Sequence, residues 1–180
     1  MDIQNLRLSV CNCQQCPAGS ALLRETGRDA TLTNITICDL PANALVIKMD
    51  KTRFNGFLLD KKEWGYNKHS DYLIVTDDKL VFVEMKSRKL VGKSLSDDCV
   101  KKFTSDDCTV KHADNIIEKM MLKNAFFNRR VQHFVLFYET TSISKTLTTM
   151  SCTPRPNNTP LTFRPIAVNN GATISYRRTI

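Results

Sequence analysis

The chain has 180 residues, 42% of them hydrophobic, with 26 Lys and Arg against 18 Asp and Glu and a formal net charge of +8. That is enough for one domain with a core of its own, and the basic excess favours a polyanionic partner such as nucleic acid. The apolar runs are a handful of residues long, well short of the ~20 that a bilayer span requires, and the start, MDIQNLRLSVCNCQQC, lacks the basic-then-apolar order of a signal region. The expectation is a single cytoplasmic domain over residues 1–180 with no membrane association.

Residues 1–40 form a cysteine-containing N-terminal segment. The seven cysteines of the chain are an odd set, read as reduced thiols or metal ligands rather than a disulfide framework. Cys11, Cys13 and Cys16, in CNCQQC, offer three thiolates to a Zn²⁺ whose fourth ligand would be Cys38, Cys99, Cys108, Cys152 or a histidine. The paired CxxC…CxxC pattern is missing, so ordinary thiols are the alternative. In PAGSALLRET, Pro17 to Ser20 predict the start of a short helix ending near Gly27. TNITICDL, ALVIKM and FNGFLL at 54–59 read as strands. DKKEWGYNKHSD is a polar approach in which Trp64 and Tyr66 are placed to stack on a base, with core packing the alternative for Trp64.

The stretch SDYLIVTDDKLVFVEMKSR, residues 70–88, predicts a tight hairpin about Asp77 and Asp78. In that register Val75 faces Leu80, Leu73 faces Phe82 and Asp71 faces Glu84. Opposed like charges destabilise a ladder unless something positive lies between them. Lys86 follows on the same face, because strand side chains alternate. A divalent cation such as Mg²⁺, which takes one or two carboxylates and keeps waters or phosphates for its remaining positions, would resolve the conflict. Solvated charge at the end of an exposed strand is the alternative.

Farther on, SDDC occurs at 96–99 and again at 105–108, each read as helix-start chemistry, and the spacing of Val110, Ala113, Ile116, Ile117, Met120, Met121 and Ala125 predicts the longest helix over 106–127. Val131 to Tyr138 reads as a strand buried on both faces. TTMSCTPRPNNTP is a loop, and Asn169-Asn170-Gly171 predicts a terminal β-hairpin appendage over 161–180. The order points to an α/β fold, a mixed central β-sheet flanked by helices. No nucleotide-binding glycine loop, GxSxG elbow or HExxH pattern occurs.

Asp71, followed thirteen positions later by Glu84-Met85-Lys86, resembles the PD-(D/E)xK nuclease superfamily, with Ser70 where the family's name has proline. The resemblance implies a restriction-endonuclease-like core, Asp71 and Glu84 as ligands of Mg²⁺ or Mn²⁺, and Lys86 as the catalytic lysine. It also implies a further acid before the central strands, for which Glu25 is the best placed; Asp39, Asp60 and Glu63 are competitors. Some helicase-associated relatives carry cysteine-ligated iron–sulfur clusters, the alternative to zinc at Cys11, Cys13 and Cys16. The expected activity is endonucleolytic hydrolysis of phosphodiesters, with DNA as substrate. Lys61, Lys62, Lys68, Arg88, Lys89 and Lys93 would track the backbone, and a protein partner would supply targeting. A role in antiviral defence or a mobile element is implied by the resemblance alone. Two other readings stay open: a nuclease-fold subunit that binds nucleic acid or protein without catalysis, and a zinc-stabilised interaction module.

Overall fold

The computed structural model describes residues 13–16, 19–49, 68–87, 92–120, 126–139 and 156–180. Nine strands and one helix appear among them: β1 (Cys13–Gln15), β2 (Ala21–Arg24), β3 (Asn34–Cys38), β4 (Leu45–Lys48), β5 (Tyr72–Val75), β6 (Lys79–Lys86), α1 (Lys93–Met120), β7 (Val131–Glu139), β8 (Arg164–Val168) and β9 (Ala172–Ser175). The strands form two mixed sheets, ordered β1-β4-β5-β6-β7-β8 and β2-β3-β9. The fold class is α/β.

Alternation along the strands determines the layers. On one face of the larger sheet Leu73, Val75, Leu80, Phe82, Phe134 and Leu136 pack with Leu95, Cys99, Phe103, Val110 and Ile117 of α1. On the other face Ile74, Val81, Val83, Met85, Val135 and Phe137 pack with Leu23, Ile35, Ile37 and Ile174 of the smaller sheet. Among the described residues a helix therefore covers one face and a sheet the other, where helices had been expected to flank the sheet. β7 is buried from Phe134 through Phe137 on both faces, as its apolar run predicts.

Three local expectations are corrected. The segment before Gly27 is strand β2, in which Ala21 and Leu23 are buried while Leu22 and Arg24 face out. That period of two fits the edge of a sheet, and β3 supplies its ladder from Ala21–Ile37 to Arg24–Asn34. The helix begins at Lys93, so both SDDC sequences lie inside one 28-residue helix. Its buried stripe runs Leu95, Cys99, Phe103, Asp106, Val110, Asp114, Ile117, at helical spacing but interrupted by two acids. One of these acids, Asp114, is fully buried and accepts the backbone N–H groups of Phe126, Phe127 and Asn128.

The C-terminal strands do not form a hairpin. β8 pairs parallel with β7 in the larger sheet, and β9 pairs parallel with β3 in the smaller one. The Asn169-Asn170-Gly171 turn carries the chain between layers. Gly171 takes φ +79°, which favours glycine, and Asn170 Oδ1 accepts the N–H groups of Thr33 (2.9 Å) and Asn34 (3.0 Å). The turn is thus tied to the start of β3, so the following residues join that strand. The expected strand at 54–59 and the loop residues 148–155 lie outside the described residues.

The helix-to-sheet core is centred on rings. Phe82 and Phe134 stack at 5.0 Å, and Phe103 of α1 meets Phe134 at 5.4 Å, tilted by 59°. Phe134→Ala would remove the shared ring from a site with no exposure. The expected loss is about 3–5 kcal/mol, read as a lower urea midpoint at unchanged slope; a loss below about 1 kcal/mol would contradict this packing.

Candidate functional site

The register of β5 and β6 is the one the sequence predicts: Tyr72–Val83, Leu73–Phe82, Ile74–Val81 and Val75–Leu80. Thr76 N–H donates to the Lys79 carbonyl at 2.9 Å, marking a hydrogen-bonded pair. Such pairs alternate, which makes Tyr72–Val83 hydrogen-bonded again and the next position outward, Asp71 against Glu84, of the non-bonded class, in which side chains approach more closely. Both residues fall on the α1 side by parity with Leu73 and Phe82.

At this point the ladder ends. Met85 N–H donates to Asp71 Oδ2 at 2.6 Å, and the preceding residue is held by the helix instead: Ser70 N–H donates to Asp106 Oδ2 at 2.9 Å. Proline at position 70 could not make that bond. Asp106 Oδ1 also lies 2.8 Å from His69 Nδ1. With its side chain 6% exposed, His69 is a buried partner of the helix.

Glu84 is fully buried. Its Oε1 is 2.7 Å from Lys86 Nζ and 2.6 Å from Lys102 Nζ, while Oε2 has no hydrogen-bond partner among the described residues. Lys86 also lies 3.9 Å from Asp98, which is 3.4 Å from Lys68. Burial, followed by the like charge of Glu84, pushes the Asp71 carboxyl up to about 7; Lys102 and the Met85 N–H oppose the rise and Glu25 adds to it. For Lys102, burial acts to lower the pKa, but the Glu84 carboxylate, with Asp71 behind it, raises it on balance above the ordinary lysine value. Burial and then Glu84 push the Cys99 thiol beside them up to about 12, so this cysteine stays protonated and inert.

Glu25 reaches the cluster by a route different from the expected helix. The Tyr72 hydroxyl accepts the Arg24 N–H and donates to the Arg24 carbonyl, both at 2.7 Å. This ties the end of β2 to the start of β5 and brings Glu25 near enough to act on Asp71.

The structure thus brings together Asp71, Glu84 and Lys86 with Lys102, Asp98 and Asp106 of α1, which the sequence does not single out, while Glu25 acts on Asp71 through its charge alone and its Oε1 accepts the Gly27 N–H at 2.8 Å. Lys102 stands one turn after Asp98 and one before Asp106; that spacing is the available signal, and a helix over 106–127 leaves Lys102 out. Asp39 is exposed, with φ 59°, and Lys93 opens α1 exposed to solvent. Cys16 is buried, and Cys13 belongs to β1. Cys11, Asp60, Lys61, Lys62, Glu63, Trp64, Tyr66, Arg88 and Lys89 lie outside the described residues.

Among the described residues no three His, Cys, Asp or Glu side chains gather as an ion-binding group, and none of the helices is long and apolar enough to cross a membrane. A concavity of about 420 Å³ lined by Lys111, Arg130, Gln132 and Asn158 lies at the opposite end of the sheet and shares no residue with the carboxylate cluster.

The raised Asp71 carboxyl has a definite sign for stability. Its folded pKa lies above the ordinary 3.8, so ionising it opposes folding. That opposition is absent below pH ~4, grows between ~4 and ~7 and is complete above ~7. In chelator, Asp71→Asn should therefore gain more at pH 8 than at pH 5, by about 1–2 kcal/mol after discounting for partial exposure, or about 2–6 °C in Tm. Equal differences at the two pH values would refute the assignment. No family model, curated protein or solved structure matches the chain, and the case for the site rests on its own geometry.

Proposed function

We propose that the protein is a nuclease of the PD-(D/E)xK kind, with a restriction-endonuclease-like core, hydrolysing phosphodiesters with Mg²⁺ or Mn²⁺. The observation that carries this reading is that Asp71 and Glu84 lie one position beyond the Tyr72–Val83 pair that ends the ladder, with Glu84 Oε2 buried and unpartnered among the described residues. A buried carboxylate oxygen without a donor is costly, and a cation is the partner that an acceptor-only pair suits. Two carboxylates fit Mg²⁺ or Mn²⁺, which hold waters in their other positions, better than zinc or an iron–sulfur cluster, which take thiolates or imidazoles. When bound, the cation would acidify water and offset charge on the phosphodiester.

The protein's own groups have separable roles. Asp71 and Glu84 hold the cation, and the Met85 N–H and the two lysines orient them. Lys86, 27% exposed at its side chain, offers an ammonium to the nucleophile or to charge on the phosphate. Glu25 is a further acid at the rim. Lys68 and Lys93, both exposed, support backbone binding together with Lys61, Lys62, Arg88 and Lys89, which flank the hairpin in sequence. The net charge of +8 supports DNA as substrate, with a role in defence or a mobile element and a targeting partner as extensions of the same reading.

One observation favours a second reading. Lys86 and Lys102 neutralise Glu84 with no ion, as in a subunit that keeps the fold and binds nucleic acid without cleaving it. Plasmid, linear duplex, single-stranded DNA and RNA, each with Mg²⁺, Mn²⁺ or chelator, separate the two. Cation-dependent cleavage is expected, falling about 10²-fold or more in Asp71→Ala and Lys86→Ala. Cleavage that survives in both variants would remove the site assignment; binding with no cleavage under any condition would favour the second reading.

A further inference from the structure

We propose that Lys102 is a resident counter-ion that competes with the divalent cation for Glu84 and so holds the protein's cation affinity down. The inference rests on the metal-site reading above and deepens it. Lys102 comes from α1 and Lys86 from β6, yet both ammonium groups lie on the same oxygen, Oε1, at 2.6 and 2.7 Å. One carboxylate needs one positive charge. The second lysine makes the group of three net positive, while the other oxygen faces no donor among the described residues.

The two lysines are not equivalent. Lys86 has a second carboxylate, Asp98, at 3.9 Å and is 27% exposed; Lys102 is 15% exposed. Lys86 can give up Glu84 for Asp98 or solvent, whereas Lys102 stays where a divalent ion would bring two more positive charges into a poorly solvated site. Like charges a few ångströms apart repel strongly there. Removing the Lys102 charge should therefore tighten cation binding, the reverse of what loss of a structural prop would do.

The test is Mn²⁺ titration of the purified chain by calorimetry, with Lys102→Gln, Lys102→Arg and, as a control on the same helix, Lys111→Gln. Glutamine keeps a donor for Glu84 without the charge. We expect Lys102→Gln to bind Mn²⁺ about tenfold more tightly, with wild-type affinity in Lys102→Arg and Lys111→Gln. Thermal melts in chelator should show Lys102→Gln less stable than wild type, and Mn²⁺ should raise its Tm by more. Unchanged or weaker Mn²⁺ binding in a folded Lys102→Gln would overturn the proposal while leaving the metal site standing. Equal tightening in Lys102→Arg would also overturn it, because the charge would not be the cause. A wild-type protein that binds no Mn²⁺ would sink the metal-site reading and this inference with it.

Discussion

A carboxylate sealed between a sheet and a helix is the constraint around which this end of the molecule is arranged. Glu84 sits on the face that carries Leu80 and Phe82 into the core, where an ionised group without compensation would not be tolerated. Compensation comes from two elements, Lys86 two residues along its own strand and Lys102 from α1. The second contact ties the rotation of the helix to its packing. With Cys99 and Phe103 turned to the sheet, Lys102 is on the flank that reaches the end of β6, and Asp98 and Asp106 lie one turn to either side. The apolar stripe and the polar flank thus specify the same helix orientation, a local agreement that favours a single packed state.

From that flank α1 organises the entry to β5. Asp106 takes the Ser70 N–H and engages His69, Asp98 pairs with Lys68, and the chain leaves the ladder where the Asp71 carboxylate accepts the Met85 N–H. Each bond is ordinary, but together they fix a residue that has just left regular structure. On the opposite side Tyr72 performs the same service between the sheets by gripping both backbone groups of Arg24. Two layers that share no strand are joined there, and Glu25 comes to the cluster as a result. Asp71, just before β5, and Glu84 of β6 lie with lysines from β6 and α1 at one end of the larger sheet.

Much of this was legible in the chain. The hairpin register follows from a polar turn between two apolar runs, and the opposition of Asp71 and Glu84 follows from the register alone. The strands at Asn34–Cys38, Leu45–Lys48 and Val131–Glu139 announce themselves by β-branched and aromatic content. What stayed hidden depends on partners distant in sequence. Ala21–Arg24 is too short for its alternation to be told from one face of a helix, and the terminal turn signals two strands without showing that they pair with β7 and β3 rather than with each other. The first half of α1 was obscured by its own function. Asp106 and Asp114 occupy buried positions of the stripe, and acids beside Ser105 look like a helix start until their targets, the N–H groups of Ser70 and of residues 126–128, are known. Lys102 was lost with that half of the helix.

A buried ion cluster is weak evidence of stability, since apolar replacements of similar volume often hold a fold as well or better. That argument bears on what the cluster is for. A network selected only to be stable would share its donors between the two oxygens of Glu84, and would not set a second carboxylate opposite, where its proton affinity rises. Instead the donors crowd Oε1, Oε2 has none among the described residues, and Asp71 lies across the ladder with its ionisation opposed. Compare Asp114, at the far part of the same helix. It is just as buried, yet three backbone N–H groups divide between its oxygens. One chain has thus buried two carboxylates in two ways, one satisfied by the fold and the other left a donor short among the described residues.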